Sequence, residues 1–251
     1  MKQSKSPHFI TGVIVFLMLC MTTQSAQAMH IMEGFLPPAA CLAWGVLCVP
    51  FIIIGITKIN RLLVENPRML TILAMAGAFT FVLSALKIPS VTGSSSHMTG
   101  LGFAAILFGP SVACILALIV LLFQALLLAH GGLTTLGANT FSMGIVGPVV
   151  AFLIFIAFSK AKLPRSFCVF SAAALGDLAT YVTTSAQLAL VYPSEAGGVT
   201  ASFVKFAGIF AVTQIPLAVI EGLLTVVLVN IVLEYGKDIL PSFGKEEWAH
   251  E

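Results

Sequence analysis

The chain has 251 residues, of which 59% are hydrophobic and only 9% charged. A soluble domain carries about 25% charged residues, so this chain cannot clothe a water-facing surface, and it is far too apolar for disorder. Twelve basic against ten acidic residues leave no basic field for nucleic acid; what remains is an all-α membrane protein with long apolar runs in place of alternating strands.

In chain order, Lys2 and Lys5 form a short basic head, residues 9–20 an apolar run, and a polar stretch ends in Ala26-Gln27-Ala28. This is the layout of a signal peptide cut after small residues at its cleavage site. Residues 1–28 are expected to be removed, leaving 29–251 as the membrane domain, with Met29-His30 as a new amino terminus on the outer side. An uncleaved anchor is the alternative.

Hydropathy places spans near 37–57, 68–86, 111–129, 140–159, 166–192 and 203–233, with a short apolar piece at 101–109 closed by Pro110. The positive-inside rule decides whether the short piece crosses. If it does, Lys58, Arg61 and Arg68 share the inner side with Lys160, Lys162 and Arg165; if it does not, the second cluster falls outside. The sequence therefore predicts about seven transmembrane helices and a cytoplasmic tail. One helix is short: nine residues reach about 14 Å against a core of roughly 30 Å. It is either extended by its neighbours or packed as a half-helix within protein. Two outer loops, 87–100 and 130–139, are rich in glycine and hydroxyls and lack an apolar stripe. Backbone of that kind survives at membrane depth only inside protein or along a wet cavity, so both are expected to line a cavity. The five cysteines all lie in apolar stretches without a CxxC pair, which suits packing.

A terminus reading Met29-His30 offers one metal three nitrogens: the α-amine, the deprotonated amide of His30 and its imidazole Nδ1. They close a five- and a six-membered chelate ring in one plane. His97 is the first candidate for the fourth in-plane position. His130, at the end of a span, competes with it unless it only caps carbonyls there. Four nitrogens in a square suit Ni(II) or Cu(II) and admit low-spin Co(II), whereas Zn(II) prefers a tetrahedron. An amide ligand gives up a proton on binding, so affinity is expected to fall steeply below neutral pH. Ser96 and Asn139 are expected to orient His97 or to tie the outer loops together.

Asp177 and Glu221 lie inside spans, where a charge is costly. Two readings stand: a proton path for gradient-driven transport, or packing in which the acids are protonated or bonded to hydroxyls such as those of Thr180 and Thr225. No P-loop is present, so energy comes from partner subunits or an ion gradient. The absence of G-x-S-x-G and H-E-x-x-H argues against an intramembrane enzyme. Ala74 to Ala78 offers a small-residue face for close helix contact.

Several motifs resemble the CbiM/NikM family, the substrate-specificity (S) components of cobalt and nickel energy-coupling-factor transporters. They are Met29-His30-Ile31-Met32-Glu33-Gly34-Phe35-Leu36-Pro37, Pro89-Ser90-Val91-Thr92-Gly93-Ser94-Ser95-Ser96-His97 and Gly131-Gly132-Leu133-Thr134-Thr135-Leu136-Gly137-Ala138-Asn139, with Gly176-Asp177-Leu178-Ala179-Thr180-Tyr181 and Glu221-Gly222-Leu223 further on. The resemblance covers nearly all of the mature chain. It implies a seven-helix fold holding metal through the amine of Met29, the amide and imidazole of His30 and the imidazole of His97. Met32-Glu33 stands where the nickel branch usually has Pro-Asp, which favours Co(II) over Ni(II) as cargo. The resemblance also implies a small membrane partner (CbiN), a transmembrane coupling protein (CbiQ) and an ATPase (CbiO), with no resident cofactor.

Overall fold

The computed structural model describes residues 30–89 and 95–235. The expected signal segment 1–28, Met29, residues 90–94 of the serine-rich loop and the tail from 236 lie outside the described residues.

Among the described residues there are seven helices: α1 (Pro38–Glu65), α2 (Met69–Ala85), α3 (Leu101–Phe108), α4 (Pro110–Leu128), α5 (Leu136–Lys160), α6 (Arg165–Val191) and α7 (Gly198–Tyr235). By length and composition α1, α4, α5, α6 and α7 can each cross a membrane, while α2 is apolar but shorter, at 17 residues. The termini follow local chemistry. Pro38 and Pro110 sit in the first turns of α1 and α4, where a missing N–H costs nothing. Asn66 precedes Pro67 and is extended, which ends α1. That end lies beyond the expected residue 57 and carries Lys58 and Arg61 within the helix.

The short apolar piece is α3, eight residues and about 12 Å long. Every one of its residues is buried. It is a half-helix enclosed by protein, one of the two forms expected for it. Gly109 ends it at φ +84°, a conformation a side chain would strain, and Pro110 then starts α4. Around α3, Phe103, Phe108, Met69, Val112 and Ala172 form the largest apolar core. A second core joins Ile31 and Leu36 to Tyr181, Phe206 and Phe210 of α6 and α7. Outward faces carry exposed Leu42, Ile53, Leu126 and Val212, apolar side chains that suit lipid.

Two features depart from the predicted elements. The loop after α2 contains a two-residue antiparallel ladder, β1 (Ile88–Pro89) with β2 (Ser95–Ser96). It gives backbone groups there partners within the chain. Helix α5 begins at Leu136 rather than 140, and residues Thr140–Val146 form a π-helical turn. Such turns are rare and recur at functional sites.

Candidate metal-binding site

Residues 30–36, which precede α1, lie along the loop 131–135 and the first turn of α5. Asn139 reads both backbone groups of one residue: Ile31 N–H donates to its Oδ1 at 2.8 Å, and its Nδ2 donates to the Ile31 carbonyl at 3.0 Å. The Thr135 hydroxyl donates to the same carbonyl at 2.6 Å. Further out, Gly34 N–H donates to the Thr134 hydroxyl, and Thr134 N–H donates to the Glu33 carboxylate at 3.1 Å. Hydrogen bonds from Thr134 hold that exposed carboxylate below its ordinary pKa. Gly132 makes the approach possible, because a Cβ there would stand 2.5 Å from the Glu33 Cα. The Tyr192 hydroxyl at the end of α6 also donates to the Phe35 carbonyl. The segment is thus docked by its backbone.

This docking brings His30 against two other imidazoles. Ring centroids are 4.4 Å apart for His30 and His97, 4.5 Å for His30 and His130, and 5.1 Å for His97 and His130. All three rings are buried, at 1%, 0% and 3% exposure, and one ligand nitrogen from each lies within 4.8 Å of the others. His30 Nδ1, His97 Nε2 and His130 Nε2 have no hydrogen-bond partner. Buried polar atoms are almost always paired, so three buried rings that touch one another and each carry an unpaired nitrogen form a candidate ligand site. The other ring nitrogens are engaged where the structure gives them a partner. His97 Nδ1 lies 2.8 Å from the Met98 carbonyl, so it carries the proton and leaves Nε2 as the lone-pair donor. His30 Nε2 lies 3.1 Å from the sulfur of Met143, on the π-helical turn.

The three histidines lie outside the helices, His30 ahead of α1 and the others in loops, and burial pushes each pKa down: His97 to about 4, His130 to about 2 and His30 well below its ordinary value. Neighbouring imidazoles and Lys87 add to the shift at His30 and His130. Neutral imidazole is the form that binds metal.

The segment after His97 is gripped from α6 and α7. Glu221 takes Thr99 N–H on Oε2 at 2.6 Å, and the Thr99 hydroxyl and Gly100 N–H on Oε1 at 2.8 and 2.9 Å. Gln214 Nε2 donates to the His97 carbonyl at 3.0 Å and to Asp177 Oδ2 at 2.6 Å. The two intramembrane acids therefore have partners, but not the expected hydroxyls. Thr180 bonds the Gly176 carbonyl of its own helix, and the buried Thr225 hydroxyl has no partner. Ser96 pairs with the Thr213 hydroxyl at 2.7 Å. Asn139 ties the segment before α1 to the start of α5, a link that involves neither His97 nor the loop 87–100.

Of the residues singled out in the sequence, the structure brings His30 and His97 together, sets Asn139 beside His30's neighbour Ile31, and puts Asp177 and Glu221 behind the His97 segment. Met29 is outside the described residues. The His130 ring joins the cluster instead of capping carbonyls. Gln214 and Met143 escape a reading of the sequence; a glutamine within the apolar run of α7 is flagged by the same cost argument that singles out the acids.

A family model described as the cobalt uptake substrate-specific transmembrane region matches residues 30–239. The chain is 58% identical over 242 residues to the cobalt transport protein CbiM of Kyrpidia tusciae, covering 96% of this chain and 98% of that protein. It is 55% identical over 247 residues to the protein of the same name from Chlorobium limicola, covering 97% of each. A solved structure of a truncated transition metal transporter superposes with a TM-score of 0.71 at 25% identity, over 82% of this chain and 99% of that one.

Proposed function

The chain belongs to the CbiM family of cobalt-uptake membrane components, and from that premise we propose that it captures Co(II) on the outer side of the cell membrane and passes it inward as the substrate-binding subunit of an ATP-driven energy-coupling-factor importer. The ligands are the amine of Met29, the amide and Nδ1 of His30, and Nε2 of His97. The observation that carries the reading is the trio of buried, unpartnered imidazole nitrogens at mutual ligand distance. A neutral, sealed pocket without a carboxylate among those donors suits a borderline cation that accepts nitrogen. Ni(II) is the competing cargo.

In this reading residues 1–28 are a signal peptide, whose removal creates the first ligand, and the carboxyl-terminal tail is cytoplasmic. Energy comes from CbiN-, CbiQ- and CbiO-like partners. The hydrogen bonds from Thr99, Gly100 and Gln214 favour Asp177 and Glu221 as supports of the His97 segment over a proton relay. Uptake by the chain alone in proteoliposomes, abolished by collapsing the proton gradient, overturns that assignment.

The test is amino-terminal sequencing with metal analysis of the purified protein, followed by insertion of one alanine ahead of Met29 in the mature chain. The insertion shifts the amine by one residue and changes no side chain. The expected result is a start at Met29 and a loss of Co(II) affinity of more than about a hundredfold on insertion. Retention of the leader in the working protein, or equal binding with the terminus blocked, overturns the reading.

A further inference from the structure

Three imidazole nitrogens are available, yet the planar chelate proposed above takes only two of them. The third belongs to His130, 3% exposed, with Nε2 unpartnered and a ring nitrogen within 4.8 Å of ring nitrogens of His30 and His97. Its orientation differs from theirs. The rings of His30 and His97 are tilted 41° to each other, whereas the His130 ring stands at 65° to His30 and 74° to His97. A chelate through amine, amide and Nδ1 keeps the His30 ring near the plane of the ligand set. With the four in-plane positions taken by the amine, the amide, His30 Nδ1 and His97 Nε2, a further imidazole at ligand distance is left with the axial position above or below that plane.

We propose that His130 is an axial ligand through Nε2, and that it makes the site prefer Co(II) to Ni(II). The inference rests on the planar chelate and deepens it. Its chemistry follows from electron count. Square-planar Ni(II) is d8, and its filled orbital along the axis repels a fifth donor. Low-spin Co(II) is d7, holds a single electron in that orbital and gains from one axial nitrogen. An imidazole fixed on the axis therefore stabilises a five-coordinate cobalt complex and leaves nickel with an unused neighbour. The loop geometry brings the ring to the cluster: Ala129 at φ +46° and Gly131 at φ +74° turn the chain on either side of His130, and its backbone N–H donates to the Gln124 carbonyl at 3.1 Å.

The test is electron paramagnetic resonance of the mature full chain, purified in detergent with its native amino terminus and loaded with Co(II) without oxygen. The unpaired electron points along the axis, so one axial 14N splits each cobalt line into three. Growth on 15N-histidine is expected to turn each triplet into a doublet, with no variant needed. His130→Ala is expected to abolish the splitting, to lower Co(II) affinity about tenfold, and to leave Ni(II) affinity within about twofold. A low-spin spectrum with no axial splitting, or one indifferent to the label, overturns the axial role while the chelate stands. Equal weakening of both metals by His130→Ala also overturns it. A high-spin cobalt spectrum in the unaltered protein overturns the chelate itself.

Discussion

The four residues from His97 to Gly100 separate two clusters of buried ionisable groups, and the clusters are finished in opposite ways. On one side three imidazoles face one another with a nitrogen each left without a partner. On the other, both oxygens of Glu221 are capped by Thr99 and Gly100, and Gln214 bridges the His97 carbonyl to Asp177. Burying an unpaired polar group costs about 1–3 kcal/mol, so three such groups gathered at one place carry a concentrated cost that a bound ion would offset. The imidazole side is set for a guest. On the carboxylate side Glu221 has partners on both oxygens and holds the host in shape, although Asp177 Oδ1 and Gln214 Oε1 beside it stay unpaired.

The sharpest way to break this contrast is pH. With amine and amide both deprotonated in the complex, Co(II) affinity should fall about a hundredfold per pH unit below the amine's ordinary pKa of about 7.7–8.0. Metal competition titrations between pH 5 and 8 read that slope. The imidazoles do not set it, because burial holds His97 at about 4. They act on the metal-free protein instead. Below the unfolded value of 6.5 the unfolded chain takes up protons that the folded chain refuses. Stability is therefore full above that value and lost progressively as pH falls toward 4, seen as a falling unfolding temperature. A flat affinity profile would remove the amide from the ligand set.

Substitutions sharpen the contrast further. His97→Ala should lower Co(II) affinity by more than about a hundredfold, while the metal-free protein gives up only the Nδ1 hydrogen bond to the Met98 carbonyl, about 0.5–1.5 kcal/mol, and sheds the unpaired Nε2. Glu221→Gln should do the reverse. Its amide NH2 faces N–H donors, each lost pairing costing about 1–3 kcal/mol, so the unfolding temperature drops and metal affinity falls less than for His97→Ala. Loss of binding at unchanged stability in Glu221→Gln would place the carboxylate with the guest. Asn139→Ala strips Ile31 of two partners and should weaken binding about tenfold. The smallest effect, within about twofold in affinity, belongs to Ser96→Ala, because the Thr213 hydroxyl keeps the Phe210 carbonyl as a partner.

The helices are legible in the sequence because a membrane allows little else: apolar length fixes a span, and proline and glycine punctuate it, as at Gly109-Pro110, although the end of α1 at Asn66-Pro67 escapes such a reading because Lys58 and Arg61 break the apolar run first. The short segment is legible as an apolar run closed by Gly109-Pro110. His30 and His97 stand out because polar donors are scarce in such a chain. What stays hidden depends on contacts across the fold. Nothing local says that Glu221 will meet Thr99 and Gly100, some 120 positions away. Nor does local sequence show that the chain turns at Ala129 and Gly131 to bring the His130 ring inward. The π-helical turn holding Met143 against His30 leaves no mark in hydropathy, since its residues read as ordinary span.

The complete enclosure of α3 bears on throughput. Its eight residues and the three imidazoles are shut away from solvent. Under the proposed function, an ion held there leaves when neighbouring segments part, so cargo would be dispensed singly and the delivery rate counted in openings of the protein, not in ionic diffusion.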